Sequence, residues 1–211
     1  MTNQHPGILT MAKLYFRYGA MGSAKSLNLL AVAHNYQQQH KGVLLLKPHL
    51  DLRFGTDTIR SRAGLTMEAH HLLYPDTVFS YPGRPATGSP HSIDISTSIP
   101  LHCILVDEAQ FLSASIIDEL QQLTIHCNIP VICYGLKTNF KGLLFEGAKR
   151  LLELADTIEE IKTTCFFCNR KATQNGKFLD GIPVTEGPEI EMGAEEKYLP
   201  VCKYCFLQRH L

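Results

Sequence analysis

Residues 13–26 read KLYFRYGAMGSAKS, and this stretch decides the fold. Residues 13–18 mix aromatic and alternating side chains as a β-strand does, and the apolar residues after Ser26 have helical spacing. A strand, a glycine-containing turn and a helix opening with Lys-Ser form the context of a phosphate-binding loop, in which backbone N–H groups converge on phosphate oxygens. We therefore predict a phosphate site made of Gly19, Ala20, Met21, Gly22, Ser23, Ala24, Lys25 and Ser26.

The loop departs from the full pattern G-x4-G-K-[ST] at one position. Gly19, Lys25 and Ser26 fit the pattern, but Ala24 stands in place of its second glycine. An ordinary strand-to-helix turn is the alternative interpretation of this stretch. Ala24 is placed at the first turn of the helix, where right-handed helical backbone would allow alanine, and we expect its Cβ to weaken ATP binding by its closeness to the phosphates.

A second motif supports the nucleotide hypothesis. Residues 103–106 (CILV) have the pattern of a buried strand, which ends in Asp107 and Glu108. An acid at this place can hold Mg²⁺ together with the Ser26 hydroxyl. Successive strand residues point to opposite faces, so Glu108 is predicted to face the acceptor and take a proton from its hydroxyl group, or from water in an ATPase. A solvated loop start is the alternative for the two acids.

Alternating strand and helix patterns surround these motifs. Strands are predicted over residues 43–46, 129–134 and 157–162, and helices over 113–127 and 143–155. This order predicts an α/β fold of the P-loop NTPase type, with a mostly parallel sheet flanked by helices on both faces.

Changes in composition indicate the domain boundaries. Residues 77–100 are rich in Pro, Gly, Ser and Thr, which predicts a mobile surface loop. We expect residues 1–11 to be a flexible N-terminus and residues 12–164 to form the nucleotide-binding domain. Residues 165–211 are expected to form a separate small module, because apolar periodicity falls there.

Four cysteines in this module occur as two C-x2-C pairs. Thiolates with this spacing can close a tetrahedral zinc site, as in a zinc ribbon, and a site with four protein ligands is structural because no position stays open for chemistry. Free buried thiols are the interpretation for the other three cysteines, which lie in or near apolar segments. The predicted zinc ligands are Cys165, Cys168, Cys202 and Cys205.

The overall composition favours a small-molecule partner. The chain has 211 residues, and its 20 Lys and Arg balance its 20 Asp and Glu, so it lacks the excess positive charge that drives non-specific binding to nucleic acid or membranes. Neither a signal peptide nor an apolar run long enough to span a membrane is visible, so we expect a cytoplasmic protein with no nucleic-acid or membrane partner.

Taken together, the motifs resemble the thymidine kinases of the cellular, zinc-containing type. The similarity covers residues 12–208, with the motifs in family order and spacing. Beside the phosphate loop and the cysteine pairs, the matching segments are residues 51–54 (DLRF), 106–111 (VDEAQF), 134–142 (YGLKTNFKG) and 192–198 (MGAEEKY).

The resemblance implies an activity and a set of roles. A thymidine kinase transfers the γ-phosphate of ATP to the 5′-hydroxyl of thymidine or deoxyuridine, with Mg²⁺. By resemblance Glu108 is the proton acceptor, Asp107 a Mg²⁺-linked acid, and Arg53 a cation that offsets charge in the transition state. Asp51 and Gln110 are further residues expected at the nucleotide.

A lasso loop between the cysteine pairs is implied to fold over the nucleoside, and the family is commonly tetrameric. The residues expected at the nucleoside are Met21, Phe111, Leu136, Phe140, Phe145, Glu189, Glu191, Gly193 and Tyr198. Two further positions depart from the family pattern, Ala109 and Ala194, and the second replaces a lasso glycine.

Two rival functions are compatible with parts of the sequence. One is a P-loop ATPase with a zinc ribbon that is stimulated by nucleic acid and uses Glu108 to activate water; the balanced charge argues against it. The other is a non-catalytic nucleotide-binding relative whose site decayed through Ala24. The presence of Lys25 and Asp107 argues against that decay.

Overall fold

The computed structural model describes residues 11–85, 88–96, 100–179, 181–184, 186–187 and 198–208. In chain order its helices and strands are β1 (Leu14–Tyr18), α1 (Lys25–Gln38), β2 (Gly42–Pro48), β3 (Thr58–Arg60), β4 (Thr66–Glu68), β5 (His71–Leu73), β6 (Val78–Ser80), β7 (Ser92–Asp94), β8 (Leu101–Val106), α2 (Ala114–His126), β9 (Val131–Gly135), α3 (Glu146–Leu154), β10 (Thr157–Glu160), β11 (Gln174–Leu179), β12 (Ile182–Val184), β13 (Tyr198–Val201) and α4 (Lys203–Gln208).

A six-stranded sheet in the order β10-β1-β9-β8-β2-β5 forms the centre of the molecule. All of its strand pairs are parallel. The inner strands β2, β8 and β9 are largely apolar because both faces of the sheet are covered there. Leu45 and Leu105 pack with α1 on one face, while Leu46 and Val106 pack with α2 and α3 on the other. The predicted α/β fold is therefore confirmed.

The topology brings the motifs to one edge of this sheet. In parallel strands the carboxyl ends lie on the same side, and β1, β2, β8 and β9 are neighbours in the sheet. Gly19 follows β1, Asp51 lies just after β2, and Asp107 follows β8. Residues far apart in the chain thus meet at the edge where α/β proteins bind their ligands.

The prediction of a mobile loop over residues 77–100 is wrong for two parts of that segment. The strands β6 and β7 lie within it and pair in parallel. Phe79 and Ile93 from these strands are buried in the main core, and Arg84 forms two hydrogen bonds of 2.8 Å with Glu119 of α2. The Pro and Gly content of the turns concealed these short apolar strands, whose burial holds the described parts of the segment in place.

The cysteine-containing region forms a sheet of its own. In it β11 is the middle strand and pairs antiparallel with β12 and β13. Cys165 and Cys202 are buried in a small apolar cluster with Phe178 and Val201. The strands β3 and β4 form a separate antiparallel hairpin. Within the described residues, the structure has no helix long and apolar enough to cross a membrane.

Candidate active site

The loop between β1 and α1 wraps around the Lys25 ammonium. Lys25 Nζ donates hydrogen bonds to the carbonyl oxygens of Gly19 (3.1 Å) and Ala20 (3.0 Å). Burial lowers the pKa of Lys25, although the nearby Glu108 and Asp107 carboxylates oppose that shift. Gly19 has no room for a side chain, since an added Cβ would lie 2.4 Å from the carbonyl oxygen of Ile161. The loop therefore presents a buried cation at the base of α1.

Ala24 does not have the backbone conformation that we expected. Its φ of 63° and ψ of 30° lie in the left-handed region, so the expectation of right-handed helical backbone is wrong. Left-handed backbone brings Cβ close to the following carbonyl oxygen, at a cost of about 1–2 kcal/mol for a residue other than glycine. The cause is local geometry, because the chain must turn sharply between the loop and the first residue of α1.

Ser26 and Asp107 meet across the site. Ser26 Oγ donates a 2.9 Å hydrogen bond to Asp107 Oδ2. The other carboxylate oxygen, Asp107 Oδ1, is buried without a hydrogen-bond partner in the described part of the chain. Burial, together with the negative charge of Glu108, raises the pKa of Asp107 to about 7. A buried carboxylate with an unused oxygen beside a hydroxyl group is a suitable donor set for Mg²⁺.

Glu108 is buried and held by two side chains. Its Oε1 lies 2.5 Å from a guanidinium nitrogen of Arg53, and its Oε2 accepts a 2.5 Å hydrogen bond from Gln110. Burial opposes ionisation, but the charges of Arg53 and Lys25 outweigh it and the pKa of Glu108 is lowered. The backbone at Glu108 is left-handed (φ 50°), which turns the chain out of β8.

Arg53 is itself fixed by a chain of charges that begins inside the sheet. Its Nε donates a 2.7 Å hydrogen bond to Asp51 Oδ1, and Asp51 Oδ2 lies 3.5 Å from the ammonium of Lys47. Lys47 is fully buried and also donates hydrogen bonds to the carbonyl oxygens of Gly55 (3.4 Å) and Thr58 (3.1 Å). This chain holds residues 51–58 against the carboxyl edge of the sheet.

A cavity of about 430 Å³ joins the predicted site residues. One part of its wall is polar and contains the phosphate loop and the charged residues that follow β2 and β8. These are Met21, Gly22, Ala24, Lys25, Ser26, Asp51, Arg53, Asp107 and Glu108. Part of the hairpin between β3 and β4 also lines the cavity, including Arg60 and Arg62.

The other part of the wall is aromatic. Phe111 and Phe145 meet edge to face with ring centroids 5.7 Å apart, and Phe140 and Tyr198 do so at 6.1 Å. These four rings line the cavity together with Leu136. A flat apolar base and a charged phosphate chain thus find complementary surfaces in the same cavity.

Some predicted residues lie elsewhere. Gln110 does not line the cavity. Its amide group donates a hydrogen bond to Glu108, and its Oε1 accepts a 2.9 Å hydrogen bond from the Leu136 N–H. Gly19, Ala20 and Ser23 are also absent from the cavity wall, although they belong to the loop. The predicted contacts at Glu189, Glu191 and Gly193, and the departure at Ala194, lie outside the described residues.

Sequence reasoning missed several residues at the site. Asn175 of β11 lines the cavity, and its Oδ1 accepts a 2.7 Å hydrogen bond from the Met21 N–H, which ties the cysteine-containing region to the phosphate loop. Lys47 in the buried strand β2 was also missed. A lysine within an otherwise apolar run was the available signal for Lys47, since an isolated buried charge requires a partner. Nothing local marked Asn175.

The four predicted metal ligands lie together. The sulfur atoms of Cys165, Cys168, Cys202 and Cys205 are all within 4.8 Å of one another, and those of Cys168 and Cys202 are 3.7 Å apart. Tetrahedral zinc with Zn–S bonds of about 2.3 Å places its sulfur atoms roughly 3.8 Å from each other. Although burial opposes it, backbone hydrogen bonds lower the pKa of Cys165 to about 6, whereas burial and the neighbouring sulfur atoms raise the pKa of Cys205 to about 12, so the fit to zinc rests on the sulfur positions. The cluster therefore fits a zinc ion.

Comparison with known proteins identifies relatives over nearly the whole chain. The family model described as thymidine kinase matches residues 12–206. The thymidine kinase of Lactococcus lactis subsp. lactis is 43% identical over 197 residues, which cover 92% of this chain and 96% of that protein. Those of Lactiplantibacillus plantarum and Enterococcus faecalis are 43% and 42% identical, with 92% of this chain and 95% and 93% of the relatives covered. The chain belongs to the thymidine kinase family.

Proposed function

We propose that this protein is an ATP-dependent thymidine kinase, which transfers the γ-phosphate of ATP to the 5′-hydroxyl of thymidine, or of deoxyuridine, and produces the nucleoside monophosphate. The observation that carries the proposal is the position of Glu108. This buried carboxylate lines the cavity next to Asp107, and Gln110 links it to Leu136 of the aromatic wall, in a chain of the thymidine kinase family. The relatives named above support the choice of thymidine.

The polar wall would bind the triphosphate. Backbone N–H groups of residues 19–24 and the Lys25 ammonium offer positive potential at the N-terminus of α1. Lys25 would exchange its hydrogen bonds to the Gly19 and Ala20 carbonyl oxygens for bonds to phosphate oxygens. Ser26 and Asp107 would hold Mg²⁺, which neutralises phosphate charge during transfer. Asp107 Oδ1, which has no hydrogen-bond partner among the described residues, supports this assignment.

Glu108 would accept the proton of the attacking hydroxyl group. Its lowered pKa keeps it ionised at neutral pH, and Gln110 fixes the second carboxylate oxygen. Arg53 bonds the other oxygen in this structure, and from that position its guanidinium can stabilise negative charge on the transferring phosphoryl group. Base and cation are thus oriented before substrates bind, which reduces the reorganisation needed in the reaction.

The aromatic wall would bind the base. Phe140 and Tyr198 form one pair of rings, and the second of them belongs to β13, just before Cys202. We propose that the cysteine cluster binds zinc and fixes both ends of the segment that covers the nucleoside, with Glu189, Glu191 and Gly193 in that segment. Metal binding can supply the folding free energy that so small a region lacks.

Other assignments remain proposals on the same basis. We propose a nucleotide-binding domain over residues 12–164 and a zinc-binding lasso domain over residues 165–211. A homotetramer and a cytoplasmic location are proposed from the family resemblance. The ATPase hypothesis has no support from the relatives, all three of which are thymidine kinases by name.

The fate of the phosphate tests the proposal. The purified chain is incubated with γ-labelled ATP and Mg²⁺, with or without thymidine, deoxyuridine, the other deoxynucleosides and single-stranded DNA. We expect label in thymidine monophosphate, and ATP consumption that depends on thymidine. Label released as free phosphate and stimulated by DNA would indicate the ATPase. A chain that binds ATP without turnover would be the non-catalytic relative.

A further inference from the structure

Lys177 is a nearly buried cation behind the aromatic wall. It lies in the middle strand β11, and only 9% of its surface is exposed. Its Nζ lies 5.4 Å from the centroid of the Phe140 ring and 5.7 Å from that of the Tyr198 ring. Lys177 itself is not among the residues that line the cavity. One ammonium group therefore contacts both rings of the pair from a residue that does not line the cavity.

The sheet register fixes this arrangement. Lys177 is directly opposite Tyr198 in the antiparallel pair of β11 and β13, and side chains in such a pair interact. The planes of the Phe140 and Tyr198 rings make an angle of 62°, so the two rings do not stack on each other. The Lys177 ammonium lies near both of them. An ammonium over an aromatic face is attracted by the ring quadrupole, and the attraction grows when water is excluded.

A second lysine shows what burial adds. Lys141 is exposed, and its Nζ lies 5.7 Å from the centroid of the same Phe140 ring. Because water screens an exposed ammonium, its effect on the ring is expected to be small. Lys177 and Lys141 thus present the same charge to one ring at similar distances, and they differ in burial and in the second ring.

We propose that Lys177 is a positioning residue for the nucleoside end of the site, which it serves by holding Phe140 and Tyr198 in the arrangement that receives the base. This inference rests on the proposed function, because it takes the aromatic wall as the base-binding surface. It extends that function by assigning the placement of the rings to a charged residue outside the cavity. We expect a role of this kind to affect recognition of the nucleoside more than ATP binding, since neither ring belongs to the phosphate loop.

The test compares three variants of the full chain, Lys177→Met, Lys177→Arg and Lys141→Met. Methionine keeps most of the length of lysine without its charge, and arginine retains a cation that stacks on rings. We expect Lys177→Met to raise KM for thymidine about tenfold, with KM for ATP and kcat within about twofold of the wild type. Lys177→Arg should stay within about threefold and Lys141→Met within about twofold in all constants.

Zinc content, Tm and thymidine titration calorimetry are measured on the same samples. A Lys177→Met variant that keeps its zinc and the wild-type KM for thymidine overturns the inference and leaves the proposed function intact. Loss of zinc or of folding in this variant also overturns it, because Lys177 would then support the cysteine-containing region and not the rings. A wild-type chain that does not phosphorylate thymidine refutes the proposed function, and the inference with it.

Discussion

Replacing Ala24 by glycine should improve both the stability of the protein and its binding of ATP. Ala24 has left-handed backbone (φ 63°) and lines the cavity beside Lys25. We therefore assign two separate free-energy costs to its methyl group. The first lowers the stability of the folded protein through the backbone conformation, and the second weakens ATP binding when phosphates contact the loop.

The conformational cost sets the expected change in stability. Left-handed backbone costs alanine about 1–2 kcal/mol, whereas glycine adopts it freely. Glycine also makes the unfolded chain more flexible, which offsets about 0.4–1 kcal/mol of that gain. The net stabilisation is about 0.5–1 kcal/mol, and for a chain of this size it raises Tm by roughly 1–4 °C.

The second cost concerns ATP. We expect the Ala24 methyl group, which lines the cavity, to lengthen the hydrogen bonds between loop N–H groups and bound phosphate oxygens. A loss of about 1 kcal/mol in these bonds corresponds to roughly a fivefold change in affinity. We expect Ala24→Gly to lower KM for ATP by about this factor. KM for thymidine should not change, because the aromatic wall does not include Ala24.

A matched control separates the two effects. His40 also has left-handed backbone (φ 55°), just after the end of α1 and exposed to solvent. His40→Gly should raise Tm by a similar amount and leave KM for ATP unchanged. Calorimetric Tm and steady-state kinetics on the three proteins decide the matter. If Tm rises in the control but not in Ala24→Gly, the assigned strain at Ala24 is wrong; an unchanged KM for ATP would show that the methyl group does not disturb the phosphates.

Two further predictions follow from the cysteines and from Asp107. The purified chain should contain about one zinc ion, and metal analysis that finds none would contradict this prediction. We expect Cys205→Ser to raise KM for thymidine more than KM for ATP. The control Cys127→Ser, outside the cluster, should change neither constant. The pKa of Asp107 is raised to about 7 in the folded protein, compared with about 4 in the unfolded chain. The protonated carboxyl group therefore stabilises the folded state fully below pH 4, and this stabilisation is lost as the pH rises through 7. Without Mg²⁺, the Tm of Asp107→Asn minus the Tm of the wild type should therefore be larger at pH 8 than at pH 5. An equal difference at the two pH values would refute the raised pKa of Asp107.

The sequence predicted the main sheet and the first contacts of the site because both depend on local patterns. Runs such as residues 103–106 are apolar on both faces, so they indicate buried parallel strands without further information. The Lys-Ser pair that opens α1 and the two acids after β8 stand at the carboxyl ends of such strands, where a ligand site is expected. The hydrogen bond between Ser26 and Asp107 joins these two motifs at the edge where they were expected to meet.

What the sequence concealed depends on tertiary contacts. The left-handed backbone of Ala24 lies at the position where the phosphate-loop pattern has a glycine, and only the structure shows that this glycine position needs positive φ. The chain of charges from Lys47 to Glu108 joins two strands through Asp51 and Arg53, so only the packed sheet reveals it. Lys177 lies near its two rings because β11 pairs with β13. The sequence of this region, which is rich in Gly and Pro, does not predict the register of that pair.

The central claim, that Glu108 takes the proton from the hydroxyl group that attacks ATP, is tested most directly by the turnover of Glu108→Gln. Glutamine keeps the shape of the side chain but cannot accept that proton at neutral pH. We expect kcat for thymidine phosphorylation to fall by roughly two to four powers of ten, while the dissociation constants of ATP and thymidine stay within about threefold of the wild type. A Glu108→Gln variant that binds both substrates and turns over at the wild-type rate would contradict the account.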